Sequence, residues 1–328
     1  EMTINSNYDT TKKGAHANES FRFAQLSDPH LSHLKNASAL DLFNKRFLGY
    51  LSWLKKRRNT HQREIAEIAI AQLKQQHIDH YVVTGDLTHI GLEDEFKQVA
   101  GWLEQISTPD NLTVIPGNHD LYVNARWEHS FHHWQPYMLG DDMPQPDEAL
   151  EQDALSTLNN VYPHVRIRGP VAFISLSSVF AAPWFKATGK ISSAQINKLK
   201  TLLKRPELTN LCKVLLIHHP VSKNHVKARK ELINQEELIE ALIDTPVELI
   251  LHGHAHSRFH DRLQIDEERS IPVVGAASCS SISQAQPYRA QYLIFEISQE
   301  DKQWHLSYQD FAYDRQQGLF INSKRTAL

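Results

Sequence analysis

Five short apolar runs in this chain each end directly in a block of Asp, His or Asn, and that pattern constrains the fold more than any other feature. Phe21–Ser27 runs into Asp28-Pro29-His30, Tyr81–Thr84 into Gly85-Asp86, and Leu112–Ile115 through Pro116 into Gly117-Asn118-His119-Asp120. Val214–Ile217 runs into His218-His219-Pro220, and Val247–Leu251 into His252-Gly253-His254-Ala255-His256. Apolar runs of this length, closed by turn-forming residues, read as strands. Further strand-like runs are Val171–Leu176, Ile271–Val274, Tyr292–Ile297 and Trp304–Tyr308. Helical periodicity marks Arg63–Gln76, Leu92–Ile106, Ala194–Leu203 and Gln235–Ile243, with Ser192, Ser193 and Asn234 as N-cap candidates. Strand–helix–strand alternation over the first 120 residues predicts parallel βαβ units, and the second half is richer in strands. The expected architecture is one α/β domain over 21–328, two packed sheets covered by helices, with insertions at 41–60 and 121–160. Residues 1–20 are polar, without the apolar core of a signal peptide, and read as a flexible tail.

In α/β folds, ligands bind beyond the carboxyl ends of the strands. The five blocks therefore bring Asp28, His30, Asp86, Asn118, His218, His254 and His256 to one rim. Any block taken singly is an ordinary turn, because Gly, Asn and Asp are turn residues. Five of them, each at a strand end, are hard to explain that way. Imidazole and carboxylate without thiolate suit Mn, Fe or Zn. Seven donors exceed the needs of one ion with open positions, but fit two ions about 3.5–4 Å apart with a bridging carboxylate.

In these blocks the sequence resembles the calcineurin-like metallophosphoesterase superfamily, whose ordered motifs are D-x-H, G-D, G-N-H-D/E, H-x-P and G-H-x-H. The resemblance spans about residues 21 to 260 with no block degraded. It implies a four-layer α/β/β/α sandwich and two divalent metal ions, with Mn expected first and Fe or Zn as alternatives. It would place one ion on Asp28, His30, Asp86 and His256 and the other on Asp86, Asn118, His218 and His254, with Asp86 bridging. Protein-phosphatase members extend the second block to G-D-x-V-D-R-G. This chain has Gly85-Asp86-Leu87-Thr88-His89, which argues for the small phosphodiesterase branches.

The chemistry expected of such a pair is hydrolysis of a phosphodiester or pyrophosphate, two dications generating a bridging hydroxide near neutral pH. Protonation of the leaving oxygen then falls to His119, which follows Asn118 directly and matches no ligand position. Asp120 either orients His119 or holds the loop backbone. His219 and His252 are expected to pack behind the ligands, and His16, His61, His77, His80, His164, His225 and His305 to lie on the surface.

The overall charge of −3 gives no general argument for nucleic acid, but it hides a contrast. Leu42 to Arg63 carries Lys45, Arg46, Lys55, Lys56, Arg57, Arg58 and Arg63 and no acid; removing those seven charges from −3 leaves −10 elsewhere. Phe43, Phe47, Tyr50, Leu51 and Leu54 fall on one helical face. Such a segment fits a peripheral membrane contact through 42–63, a cap steering an anionic substrate, or a helix packed on the sheet. One basic helix is a poor footprint for a nucleic-acid duplex. Asn44 to Trp53 is similar to a bacterial branch, that of the chlamydial-type UDP-2,3-diacylglucosamine pyrophosphatase of lipid A synthesis. That resemblance implies a lipid-linked nucleotide sugar as substrate. Cyclic nucleotides and glycerophosphodiesters are the alternatives, and a non-catalytic scaffold is the reading from another class. The aromatic residues from Trp127 to Tyr137, with Trp184 and Phe185, are candidates for a pocket wall, or for a small self-packed unit. Two cysteines, Cys212 and Cys279, cannot build a disulfide framework and point to a reducing, cytoplasmic setting.

Overall fold

The computed structural model describes residues 20–31, 46, 50, 51, 60–143, 153–180, 186–223, 225–323 and 325–328. Two mixed sheets lie face to face. In the first, β1 (Phe21–Leu26), β2 (His80–Val83) and β3 (Leu112–Val114) run parallel, and β10 (Gln291–Glu300), β11 (Gln303–Asp314) and β12 (Leu319–Asn322) extend it antiparallel from β1. In the second, β5 (Val171–Ser175), β6 (Cys212–Leu216), β7 (Leu249–His252) and β9 (Ser270–Gly275) are parallel. Two antiparallel strands, β4 (His164–Arg168) and β8 (Phe259–Gln264), form its edges. A last short strand, β13 (Thr326–Ala327), pairs with β11.

Alternation along the strands makes the layers. On β5, Val171 and Phe173 belong to the core shared with the first sheet, where Phe173 meets Phe23 edge to face at 5.1 Å. Ala172 and Ile174 point the other way, into a second core with α5 (Ser193–Leu203) and α6 (Gln235–Leu242). Helices α1 (Arg63–Leu73) and α2 (Glu93–Ile106) bury their apolar faces in the first core. The result is the expected helix–sheet–sheet–helix sandwich.

Ser192 caps α5, its hydroxyl accepting from Gln195 N at 3.3 Å. Asn234 does not cap α6; its amide instead bonds both backbone groups of Ile191, at 3.0 and 2.8 Å. Within 121–160, two short helices, α3 (Gln135–Met138) and α4 (Ala154–Val161), follow the aromatic stretch, and Asp153 caps α4. Trp127, Phe131 and Trp134 are not a pocket wall. Phe131 and Trp134 are buried on α2, with Trp134 4.6 Å from Phe96 by ring centroids and its indole N–H on the Phe96 carbonyl, and Trp127 is buried against Phe131. Trp184, Phe185 and most of the 41–60 insertion lie outside the described residues, as do residues 1–19.

Candidate metal centre

The strand-end blocks converge between the two sheets. Among the described residues seven non-glycine residues have positive φ, and five of them are Asp28, His30, Asp86, His254 and His256, at 42° to 63°. The left-handed region costs an ordinary side chain about 1 kcal/mol or more and persists only where the surroundings enforce it. Here the enforcement is visible. The loops after β1 and β2 run side by side, with Asp28 N, His30 N and Leu31 N donating to the carbonyls of Gly85, Asp86 and Leu87. From the second sheet, His254 N donates to both Asp28 carboxylate oxygens, at 3.2 and 3.0 Å. A β-carbon on Gly117 would collide with the Asp86 carboxylate, which explains why the third block opens with glycine.

Asp86 sits between two groups of imidazoles. Its Oδ2 faces His30 Nε2 at 3.8 Å, and its Oδ1 faces His218 Nε2 at 3.4 Å. On the first side, Asp28, His30, Asp86 and His256 bring one donor atom each within 4.8 Å of one another. His256 Nε2 lies 3.2 Å from Asp28 Oδ1 and 3.3 Å from His30 Nε2. On the other side, Asp86, His218 and His254 meet the same limit. His30 Nδ1 donates to the Thr88 carbonyl at 2.8 Å and His218 Nδ1 to the Thr84 carbonyl at 2.7 Å. Each imidazole therefore turns its Nε2 toward Asp86, the usual presentation of a ligating histidine.

The donor set fits cations on both sides. Asn118 Oδ1, His218 Nε2 and both ring nitrogens of His254 are buried without a hydrogen-bond partner among the described residues. Such atoms are rare unless a ligand takes them. Burial works against a charge on His218, yet the Asp86 carboxylate more than offsets it and pushes its pKa up to about 9. Burial alone would raise the Asp86 pKa; His218, His119 and His30 together hold it well below the usual carboxylate range. His30 and His254 are driven well below the ordinary imidazole value, by burial first and by neighbouring imidazoles second. Neutral His30 and His254 beside an ionised carboxylate are in the ligand form, whereas His218 would give up its proton to a cation on binding it.

His119 stands beside this cluster, its ring centroid 5.1 Å from His30 and stacked on Tyr122 at 5.4 Å. Its backbone N–H donates to Asp86 Oδ1, and its Nδ1 bonds the His89 carbonyl at 2.7 Å. Asp120 does not touch the His119 ring. Its carboxylate accepts from the backbone N–H groups of Asp86, Leu87, Thr88 and Gly117, so it holds the loops. Burial and the nearby Asp86 charge push the Asp120 pKa up to about 7, and the backbone donors pull against them.

Several histidines depart from the expected surface positions. His80 and His164 are buried, and His225 is partly buried against Phe259. His77 and His305 are exposed as expected, and His16 lies outside the described residues. His61 is at the rim, 4.7 Å from His30 and 5.4 Å from His256 by ring centroids. No strand-end pattern flags it, because it arrives through a backbone bridge to Ser281 more than two hundred residues away. His219 packs behind the ligands, its Nδ1 2.8 Å from the Ser178 hydroxyl. His252 is buried likewise, against Phe259.

Residues 21–258 match the family model for calcineurin-like phosphoesterases. The chain belongs to that family. It is thus a metal-dependent phosphoester hydrolase. The fold of this phosphoesterase is similar to that of a dimetal phosphatase from Danio rerio, at 11% identity and TM-score 0.57, covering 92% of this chain and 98% of that one. It is also similar to the purple acid phosphatase PPD1 from yellow lupin (Lupinus luteus) seeds, at 11% identity and TM-score 0.56, covering 94% of this chain but 54% of the lupin chain. No curated protein matches the sequence.

Proposed function

We propose that this phosphoesterase hydrolyses a phosphodiester or pyrophosphate with two divalent cations, Mn foremost, held across Asp86. The observation that supports it is the placement of the Asp86 oxygens, one toward His30 and one toward His218. Asp28, His30, Asp86 and His256 would hold one cation, and Asp86, Asn118, His218 and His254 the other. Bound there, the cations supply an activated water and neutralise charge on the phosphoryl oxygens. The chain's own residues do the rest. His119, whose Nδ1 bonds the His89 carbonyl, would act as an imidazolium, giving the Nε2 proton to the leaving oxygen and returning to the neutral ring. Asp120 and Asp86 fix its backbone and that of the neighbouring loop.

For the substrate we favour an acylated nucleotide sugar pyrophosphate of the UDP-2,3-diacylglucosamine kind, with cyclic nucleotides and glycerophosphodiesters as competitors. Support comes from where the basic segment is anchored. Arg46 donates to the carbonyls of Ile90 and Gly91, at 3.2 and 2.6 Å, and Tyr50 packs on Ile90 and Leu92, one residue beyond the carbonyl that holds His119. Arg63, at the end of the segment, pairs with Glu67 one turn along α1. A peripheral membrane contact through 42–63 belongs to the same reading. Among the described residues no helix is long and apolar enough to cross a membrane.

The test is a substrate panel on Mn-loaded protein with Asp86→Ala as control. UMP release from UDP-2,3-diacylglucosamine, lost in the variant, is the expected result. Asp86-dependent turnover of cAMP without UMP release would overturn the substrate assignment, and turnover equal in both proteins would overturn the site.

A further inference from the structure

We propose that Ser27 and Thr84 are positioning residues for the cation pair, joined in a buried chain of hydrogen bonds that commits Asp28 to bind through Oδ1 alone. The proposal rests on the two-metal reading above.

Asp28 arrives with its backbone fixed, its N–H on the Gly85 carbonyl at 3.0 Å and its own carbonyl accepting from the Ser278 hydroxyl at 2.7 Å. Rotation of the carboxylate is what remains to be set. His254 N approaches both oxygens almost equally, at 3.2 and 3.0 Å, and does not choose between them. The Ser27 hydroxyl does choose: it reaches Oδ2 at 2.6 Å, against 3.4 Å to the Thr84 carbonyl. A carboxylate only accepts, so the proton in that short contact belongs to Ser27. Oδ1 is left toward His256, 3.2 Å from its Nε2.

The direction of the chain is fixed at its far end. Gln25 on β1 sets its amide nitrogen 3.0 Å from the His252 carbonyl, which can only accept. The same nitrogen donates to Thr84 Oγ1 at 3.1 Å, and the Thr84 hydroxyl donates to Ser27 Oγ at 2.7 Å. Gln25, Ser27, Asp28, Thr84 and His252 are fully buried. Hydrogen bonds in series at that depth reinforce one another and hold one orientation. A β-carbon on Gly253 would run into Ser27 Oγ and Asp28 Oδ2, so the glycine of the fifth block leaves room for this contact.

Thr84 also serves the other side of Asp86, where its backbone carbonyl meets His218 Nδ1 at 2.7 Å. One residue thus orients a donor at each cation position, by separate atoms. Removing its hydroxyl should disturb the first position and spare the second.

The experiment reads metal content and affinity, by mass spectrometry and by chelator competition with Mn, in wild type, Ser27→Ala, Thr84→Val and Thr84→Ser. In Ser27→Ala and Thr84→Val one ion should bind about 10–100-fold more weakly, the loss typical when a group behind a ligand is removed. The other ion should keep its affinity, because the Thr84 carbonyl stays. Thr84→Ser retains the hydroxyl and should retain both affinities, a rescue that a space-filling role would not give. In Asp28→Ala, adding Thr84→Val should leave the remaining ion's affinity unchanged. Crystals of Mn-loaded wild type should show Asp28 bound through Oδ1 alone. Should Thr84→Val not fold, Ser27→Ala carries the same test. Wild-type affinities in Ser27→Ala and Thr84→Val, equal losses at both ions, or a bidentate Asp28 overturns the proposal. A wild type that binds a single ion refutes the two-metal reading instead. Metal-free crystals then decide the chain: the Asp28 carboxylate is expected to rotate in Ser27→Ala, and an unchanged orientation overturns the proposal.

Discussion

His218 at the rim and His164 on β4 are both buried, and their environments push them in opposite directions. His164 packs on Tyr162, 4.9 Å away, with Arg166 on the same strand; burial and that guanidinium push its pKa down to about 3. His252, behind the site, is likewise pushed down to about 3 by burial. His218 is as deeply enclosed, yet Asp86 pushes it up to about 9. Burial alone makes histidine a neutral packing residue. A carboxylate 3.4 Å away makes the same burial a place for positive charge. Abundance of histidine therefore says little about function in this chain; position against Asp86 says much.

The most severe break in that contrast is Asp86→Ala. Both cation positions lose their shared donor, and His119 N loses its acceptor. Metal content should fall to below one ion per chain, and kcat/KM by a factor of about 10⁴ or more, since cation-bound and electrostatic contributions vanish together. Retention of two ions by mass spectrometry would show that Asp86 is not the shared donor.

His119→Ala separates chemistry from metal binding. Because its ring bonds the His89 carbonyl and is not among the grouped donors, both ions should remain while kcat falls about 10²–10⁴-fold. The loss should shrink for a substrate whose leaving group needs no proton. A variant that loses an ion would reassign His119 to metal holding.

Asp120→Ala asks what holds the loop that presents Asp86. Four buried backbone N–H groups would lose their acceptor, at about 1–3 kcal/mol for each one left unsatisfied. Even with water admitted to some of them, urea unfolding should show a loss of about 3 kcal/mol or more, with a weaker effect in Asp120→Asn.

The rim was legible in the sequence because each candidate ligand lies within four residues of a strand end, and turn chemistry marks those ends. His30 and His256 are found by counting along the chain. His61 is not, since nothing local to it records its pairing with residues 280–282. Similar long-range causes hid β4 and β8. The run His164–Arg168 reads as polar, yet Arg166 is buried with its guanidinium on the carbonyls of Leu139, Pro109, Leu112 and Pro136. β8 is an edge strand whose His260, Asp261, Arg262 and Gln264 face solvent, so it lacks an apolar run. The aromatic stretch after Leu121 was ambiguous for a related reason: whether Phe131 and Trp134 face a pocket or α2 depends on Phe96, which sequence spacing does not connect to them.

The smallest effect tests the other half of the contrast. His164 has a folded pKa of about 3, against about 6.5 for an unfolded chain. Below pH 6.5 the unfolded chain takes up a proton that the folded protein refuses, so the stability present above that pH is lost progressively as pH falls toward 3. This residue should contribute a slope of about 1.4 kcal/mol per pH unit across that window. In His164→Leu the slope of unfolding free energy against pH, read from urea midpoints at pH 7, 6, 5 and 4 on metal-free protein, should flatten by that amount. His218 cannot be the source of the same slope, because its folded pKa lies above the unfolded value: its contribution is complete below pH 6.5 and is lost as pH rises through 9. An unchanged slope in His164→Leu would mean that this histidine, for all its burial, reaches water or a partner when it protonates.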